Sequence, residues 1–207
     1  GLLFAHTTNS IIQNVSALNN QYGFYLDYSY GNTIAGSTLE YNSFRGVYLF
    51  NSSNNMINNN TVSMNTGVGI KLHWYSSQNT VSNNLVSFNT LGAWLDFVSD
   101  NRIYYNSFIG NAVQATSNNG TNIWNNAANR GNYWSDYAGE DLKKGPNQNE
   151  AGSDGIGDTP YQIYTNNIDR YPLAKPIGII PFLDTNPPAI TIVSPQNRTY
   201  ALTEIPL

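Results

Sequence analysis

Two columns of side chains in this chain have the types and spacing to do chemistry. Four runs open on glycine and then alternate: Gly23–Asp27, Gly46–Phe50, Gly69–His73 and Gly92–Asp96. In an extended strand, alternate side chains share a face. One outward column is therefore Tyr25, Tyr48, Lys71 and Trp94, and the other is Asp27, Phe50, His73 and Asp96. His73 and Asp96 fall in neighbouring repeats, near enough for a hydrogen-bonded base. With Lys71 they form a minimal set for abstracting a sugar proton beside a carboxylate, the chemistry of a polysaccharide lyase. A glycoside hydrolase is less well served. It needs two carboxyls roughly 5–9.5 Å apart, and Asp27 and Asp96 are three repeats apart, about 14 Å at the spacing of neighbouring strands. The rings of Tyr25, Tyr48 and Trp94 suit another task, stacking on the apolar faces of sugars with polar groups at the rim. The plainer reading is that they cover the sheet or meet a neighbouring domain.

A third cluster lies further on. Glu150, Asp154 and Asp158, with Asp141 and Asp169 able to approach, partly resemble a calcium loop. Oxygen ligands at alternate positions followed by glycine suit a hard cation. The pattern is degenerate, with Gly152 and Tyr161 where acidic ligands belong. The plainer alternative is a loop whose Asp side chains bond their own backbone.

The elements that position these residues follow from a repeat. Asn9, Asn32, Asn55, Asn79 and Asn101 are 23, 23, 24 and 22 residues apart. Asn14, Ser37, Asn60, Asn84 and Asn106 follow five residues later, and Asn19, Asn42, Asn65, Asn89 and Asn111 follow ten residues later. Two residues after each first member stands Ile11, Ile34, Ile57, Val81 or Ile103. A fixed period of this length marks a repeat architecture. Three short strands per repeat, with Asn and Gly at the corners, make one coil of a right-handed parallel β-helix. The expected class is all-β. Phe24, Val47, Ile70 and Ala93 point inward with Leu26, Leu49, Leu72 and Leu95. Stacked Asn columns bond amide to amide and also satisfy corner backbone groups.

Residues 1–122 form the coils. Gly1–Asn9 matches Gly46–Asn55 with one residue fewer, so the chain is expected to begin mid-repeat as part of a longer protein. Residues 123–173, rich in Trp and Tyr, have the character to cover the open end of the solenoid. Residues 174–188 read as a proline-rich linker. Residues 189–207 read as the first strand of a truncated immunoglobulin-like, β-sandwich-like module.

Composition narrows the function. Of 207 residues only 11% are charged, and the net charge is −4. No basic stripe is available for phosphates, so nucleic acid is not an expected partner. The absence of cysteine excludes disulfides and thiolate metal sites. No apolar run is long enough to span a membrane. Of the Asn-x-Ser/Thr sequons, Asn51 and Asn119 sit at predicted turns and are the better glycosylation candidates.

Three segments occur in order: Gly131–Tyr137 (Gly-Asn-Tyr-Trp-Ser-Asp-Tyr), Asp154–Tyr161 (Asp-Gly-Ile-Gly-Asp-Thr-Pro-Tyr) and Asp169–Leu173 (Asp-Arg-Tyr-Pro-Leu). Together with the Asn-x-Ile-x-x-Asn and Gly-x-x-Leu repeats, they resemble the closing signature of NosD-type β-helix proteins. These belong to the wider group of carbohydrate-binding and sugar-hydrolase β-helices. The resemblance covers residues 1–173. It implies an extracellular or cell-surface protein, periplasmic in a double-membrane bacterium. Large archaeal surface proteins, including S-layer components, look similar. The family's copper role is not carried over, because copper favours Cys, Met and His and this chain has two Met (Met56, Met64) and two His (His6, His73). The expected role is structural or adhesive, with glycan binding through Tyr25, Tyr48 and Trp94. Partners would be a polysaccharide, neighbouring domains or copies of the same surface protein. The alternative is a carbohydrate-active enzyme, and a minor one is a periplasmic copper-accessory protein.

Overall fold

The computed structural model describes residues 1–177. The expected module at 189–207 and most of the expected linker lie outside that range. The described residues hold strands and turns without a helix and form a parallel β-solenoid. One long sheet stacks Leu2–Ala5, Tyr22–Asp27, Arg45–Phe50, Val68–His73, Leu91–Asp96 and Val113–Asn118 in parallel register. A first short sheet runs from Ile11–Gln13 to Arg102–Tyr104, and a second from Ser16–Leu18 to Tyr133–Trp134. Coil stacking sets the register, so the expected outward columns of the long sheet are reproduced. Tyr25 pairs with Tyr48, Tyr48 with Lys71 and Lys71 with Trp94, while Asp27, Phe50, His73 and Asp96 align beside them.

The inward side chains fill one continuous core. Phe24, Val47 and Ile70, and Leu26, Leu49, Leu72 and Leu95, are all buried. Strands of three residues bury their central side chain, and these line up as Ile34, Ile57, Val81 and Ile103 in one sheet and Leu39, Val62, Val86 and Phe108 in the other.

The first repeat departs from the expected alignment by one residue. Ile12, not Ile11, pairs with Ile34 and is buried, while Ile11 is 69% exposed. The Ser10 N–H donates to Asn32 Oδ1, and the N–H groups of Val15 and Asn20 reach Ser37 and Asn42. Asn9, Asn14 and Asn19 instead take the left-handed corner positions, at φ 51°, 55° and 57°. A slip of one residue exchanges the faces of a strand. With isoleucine at both 11 and 12, periodicity alone could not separate the two registers.

The corners are polar ladders. In the column Asn60, Asn84, Asn106, Asn132, each amide oxygen accepts both the backbone N–H and the side-chain Nδ2–H of the preceding member, at 2.9–3.1 Å. The same Nδ2 also donates to a backbone carbonyl in the coil before. Columns through Asn32, Asn55, Asn79 and Asn101, and through Asn42, Asn65, Asn89 and Asn111, repeat the pattern. A fourth ladder of Ser29, Ser52 and Ser76 runs beside them.

After Asn122 the chain closes these ladders. Asn167 Oδ1 accepts the N–H of Asn122 and Nε1–H of Trp124. Two residues later, Asp169 Oδ2 accepts the N–H of Asn132 and Nε1–H of Trp134. Trp134 stacks between Phe108 and Tyr161 at 4.5 and 4.4 Å. The three recognised segments bond to one another: Gly131 N–H to Tyr171 O, Gly157 N–H to Pro172 O and Leu173 N–H to Asn132 O. A Cβ on Gly131 would stand 1.9 Å from Asp169 Oδ1, so only glycine fits there.

A buried ladder amide is worth more than its own bonds. Asn84→Leu would keep the branched outline but strand two donors on Asn60 and the carbonyl of Ile57. Each buried orphan costs about 1–3 kcal/mol. Urea denaturation should show a loss of about 3–5 kcal/mol. Asn83→Ala, next to it but exposed at φ 56°, should lose only about 1–2 kcal/mol, the cost of a left-handed backbone. Equal losses would refute the ladder's role.

Candidate functional site

The outer face of the long sheet brings most of the expected residues together. Tyr25 and Tyr48 stack at 4.8 Å, and Tyr22 lies against both. The Arg45 guanidinium covers Tyr48 at 4.0 Å and Phe44 at 4.2 Å. Beyond it the Lys71 ammonium sits 3.3 Å from the centroid of the Trp94 ring and 3.8 Å from Asp96 Oδ2. His73 Nε2 stands 3.5 Å from that same oxygen, and its Nδ1 is bonded to Tyr48 Oη at 2.9 Å.

The geometry corrects one expectation about this face. Tyr25 and Trp94 are half-buried with part of each ring open to solvent, but Tyr48 and Lys71 are buried, at 7% and 3% exposure. Strand alternation points a side chain outward but does not expose it. Rings one coil apart stack, and Arg45 and Trp94 close over what lies between them. Tyr48 is therefore a packed floor residue.

Burial also sets the protonation of the face. It pulls the Lys71 ammonium down to about 8, helped by the Arg45 charge and resisted by Asp96. His73 is lowered by burial and then by the Lys71 charge. Burial, and then the nearby Asp27 charge, push the Tyr25 hydroxyl up to about 12. The lyase set thus stands in the expected neighbouring coils, but it is enclosed. Both His73 nitrogens face protein partners, and the Lys71 amine lies under an indole ring. Two buried donors of this face, Arg45 Nε and Trp94 Nε1, have no acceptor among the described residues.

Sequence reasoning missed two groups beside this face. The corner after the long sheet carries the exposed rings of Tyr28, Trp74, Tyr75 and Phe97. The corner before it carries Phe44, packed edge-on against Tyr22. The signal was present as an aromatic one position after three of the four glycine-led runs (Tyr28, Trp74, Phe97), but it lay in predicted turns, for which Asn and Gly are the expected residues.

The acidic loop is arranged differently. Asp154 accepts N–H bonds from Gly145 and Ile156 and from the Gln148 amide, and Asp158 from Leu142 and Lys143. Asp141 accepts from Ser153, Asp154 and Gly155. Glu150 lies exposed in a two-residue strand. Asp169 is buried apart from them at the end of an Asn ladder, where burial pushes its carboxyl up to about 6 against the N–H groups of Asn132, Trp134 and Tyr171. Among the described residues no three of His, Cys, Asp and Glu stand together at metal-holding spacing.

Comparison with known proteins follows the same lines. A family model described as "Periplasmic copper-binding protein (NosD)" matches residues 1–139. This chain belongs to the NosD family. The NosD match ends at 139 and so takes in the coils and the first closing segment. A "Probable ABC transporter binding protein NosD" from Pseudomonas aeruginosa is 33% identical over 111 residues, covering 52% of this chain and 22% of that protein. A protein of the same description from Stutzerimonas stutzeri is 33% identical over 112 residues, with the same coverage. The matched stretch thus spans about a fifth of the length of these curated NosD relatives. No solved structure matches. The copper in the family's description does not fit the donors described here. His6 and His73 are three coils apart, about 14 Å by strand spacing. Met56 and Met64 are exposed at separate places on the coil. Soft and imidazole donors must converge to hold copper.

The enclosed lysine gives a direct check. The side-chain carbon resonance of Lys71 should titrate with a midpoint near 8. Asp96→Asn should move that midpoint lower, because the carboxylate favours the charged amine. Folding lowers this group's proton affinity, so stability should rise as pH climbs from 8 towards 10.5, the range in which the unfolded chain holds the extra proton. A midpoint at the ordinary lysine value would contradict the packing of Trp94 over the amine.

Proposed function

We propose that this chain is a non-catalytic binding segment of an extracytoplasmic NosD-type protein, holding carbohydrate on the outer face of its long sheet. One arrangement carries the reading. Tyr25 and Trp94 offer part-open rings on one flat, regular surface, and the Lys71 charge between them is matched by Asp96. A surface of rings with few free charges suits the apolar faces of a sugar.

The family's periplasmic description supports the extracytoplasmic setting, and the naming of the relatives as binding proteins supports a binding role. An adhesive or surface-structural task for the whole protein is consistent with a rigid solenoid carrying such a face. The copper reading has no donor set in these coils to act through. A lyase reading would need Lys71 and His73 open to substrate, and both are engaged. No helix among the described residues is long and apolar enough to cross a membrane.

Oligosaccharide arrays followed by calorimetry test the proposal. Trp94→Ala should weaken saccharide binding tenfold or more while keeping the β-sheet circular dichroism. A protein that binds nothing on the array, or that binds equally well after this substitution, would remove the reading.

A further inference from the structure

The corner after the long sheet carries rings that the fold does not require. Each coil turns there through a residue with left-handed backbone: His6, Tyr28, Asn51, Trp74, Phe97 and Asn119, at φ 51°, 46°, 44°, 41°, 55° and 54°. Asn51 and Asn119 show that an amide side chain makes this turn. Asn tolerates the conformation better than any residue except glycine, while bulky residues there are strained. The corner before the first short sheet keeps to Asn9, Gly31, Asn54, Gln78 and Asp100, while the one after it ends on Tyr105, and the corner after the second short sheet also carries bulky residues, Tyr41, Met64 and Phe88.

Core packing does not account for the rings at the corner after the long sheet. Trp74 and Phe97 are 43% and 49% exposed, and Tyr75 is 68% exposed. The Trp74 and Phe97 rings stack at 5.4 Å, 23° from parallel, with Tyr75 edge-on to Trp74. Beside them opens a cleft of about 280 Å³ whose walls also include Ser77, Ser99 and Asn119. Its lining has no charged side chain. His73 packs edge-on against Trp74 at 6.0 Å, so the cleft continues from the outer face of the long sheet.

We infer that this cleft is a subsite for a neutral saccharide, with one sugar ring lying against the open side of the stacked Trp74 and Phe97 pair and its hydroxyls bonded by Ser77, Ser99 and Asn119. The inference rests on the reading of the long sheet as a carbohydrate-binding face and places the tightest contact at its edge. The uncharged lining selects a neutral sugar over an acidic one. The hydroxyl and amide groups among the rings select a sugar over a wholly apolar partner.

The test uses the strain itself. Trp74→Asn and Phe97→Asn put into the corner the residue that neighbouring coils already use. Both variants should melt at or above the temperature of the parent protein. Both should bind neutral hexose and N-acetylhexosamine oligosaccharides at least tenfold more weakly, measured by calorimetry on protein from a non-glycosylating host. A lower melting temperature in both would show that the rings serve packing and would overturn the inference. Binding that survives both substitutions but is lost in Trp94→Ala would overturn it too and leave the sheet-face reading intact. A parent protein that binds no neutral saccharide would remove both.

Discussion

The buried amide at each corner is the constraint on which the rest of this molecule depends. A solenoid coil must turn three times, and each turn exposes backbone donors and acceptors to a dry interior. One Asn per corner resolves this by accepting two N–H groups from the coil before and donating both to a carbonyl of that coil and to the next Asn oxygen. Because the partner is always the equivalent residue one coil away, the period cannot drift. A coil that gained or lost a residue between two ladders would leave several buried groups unpaired at once. Outside the ladders, each coil tolerates small insertions: Asn55 to Asn79 is one residue longer than Asn32 to Asn55, and the extra residue lies in the corner holding Trp74 and Tyr75.

The ladders also have a direction, and it explains why the chain ends its coils as it does. Every rung donates toward the C-terminal side, so the last rung is left with N–H groups and no acceptor. Asn167 and Asp169, two residues apart on one strand, supply oxygens to two of the ladders, and Gln114 supplies the third. A carboxylate at the donor end of a column of aligned amides is favourable for the reason that anions are favoured at helix N-termini. The two buried tryptophans use the same two oxygens, so the polar ladders and the apolar core are closed by one strand. The glycine at 131 is there because this carboxylate occupies the space of a side chain.

Much of this was legible in the sequence, and the failures have physical causes. The period, the inward columns and the register of the outward columns all follow from residue spacing, since stacking fixes them. The first repeat was misread because Ile11 and Ile12, like Asn9 and Ser10, both satisfy the pattern. Exposure on the outer face was misjudged because strand alternation says which way Tyr48 and Lys71 point but not what Arg45 and Trp94 lay over them. The serine ladder at Ser29, Ser52 and Ser76 was hidden by the common occurrence of serine. The aromatic corner was hidden by expectation, since Trp74 and Phe97 occupy backbone conformations for which sequence rules propose Asn and Gly. A residue that breaks a local rule in an exposed place is where function is best sought.

The central claim is that corner amides, not the sheets alone, lock the coils together, and side-chain hydrogen exchange measures it most directly. The Nδ2 protons of Asn79, Asn84 and Asn89 should exchange as slowly as the backbone N–H groups of Val68–His73, because both open only when the coils separate. The exposed amide of Asn83 in the same protein should exchange orders of magnitude faster. If the ladder amides exchanged at the rate of Asn83, they would be spectators of a fold held by its backbone and core, and the account would be wrong.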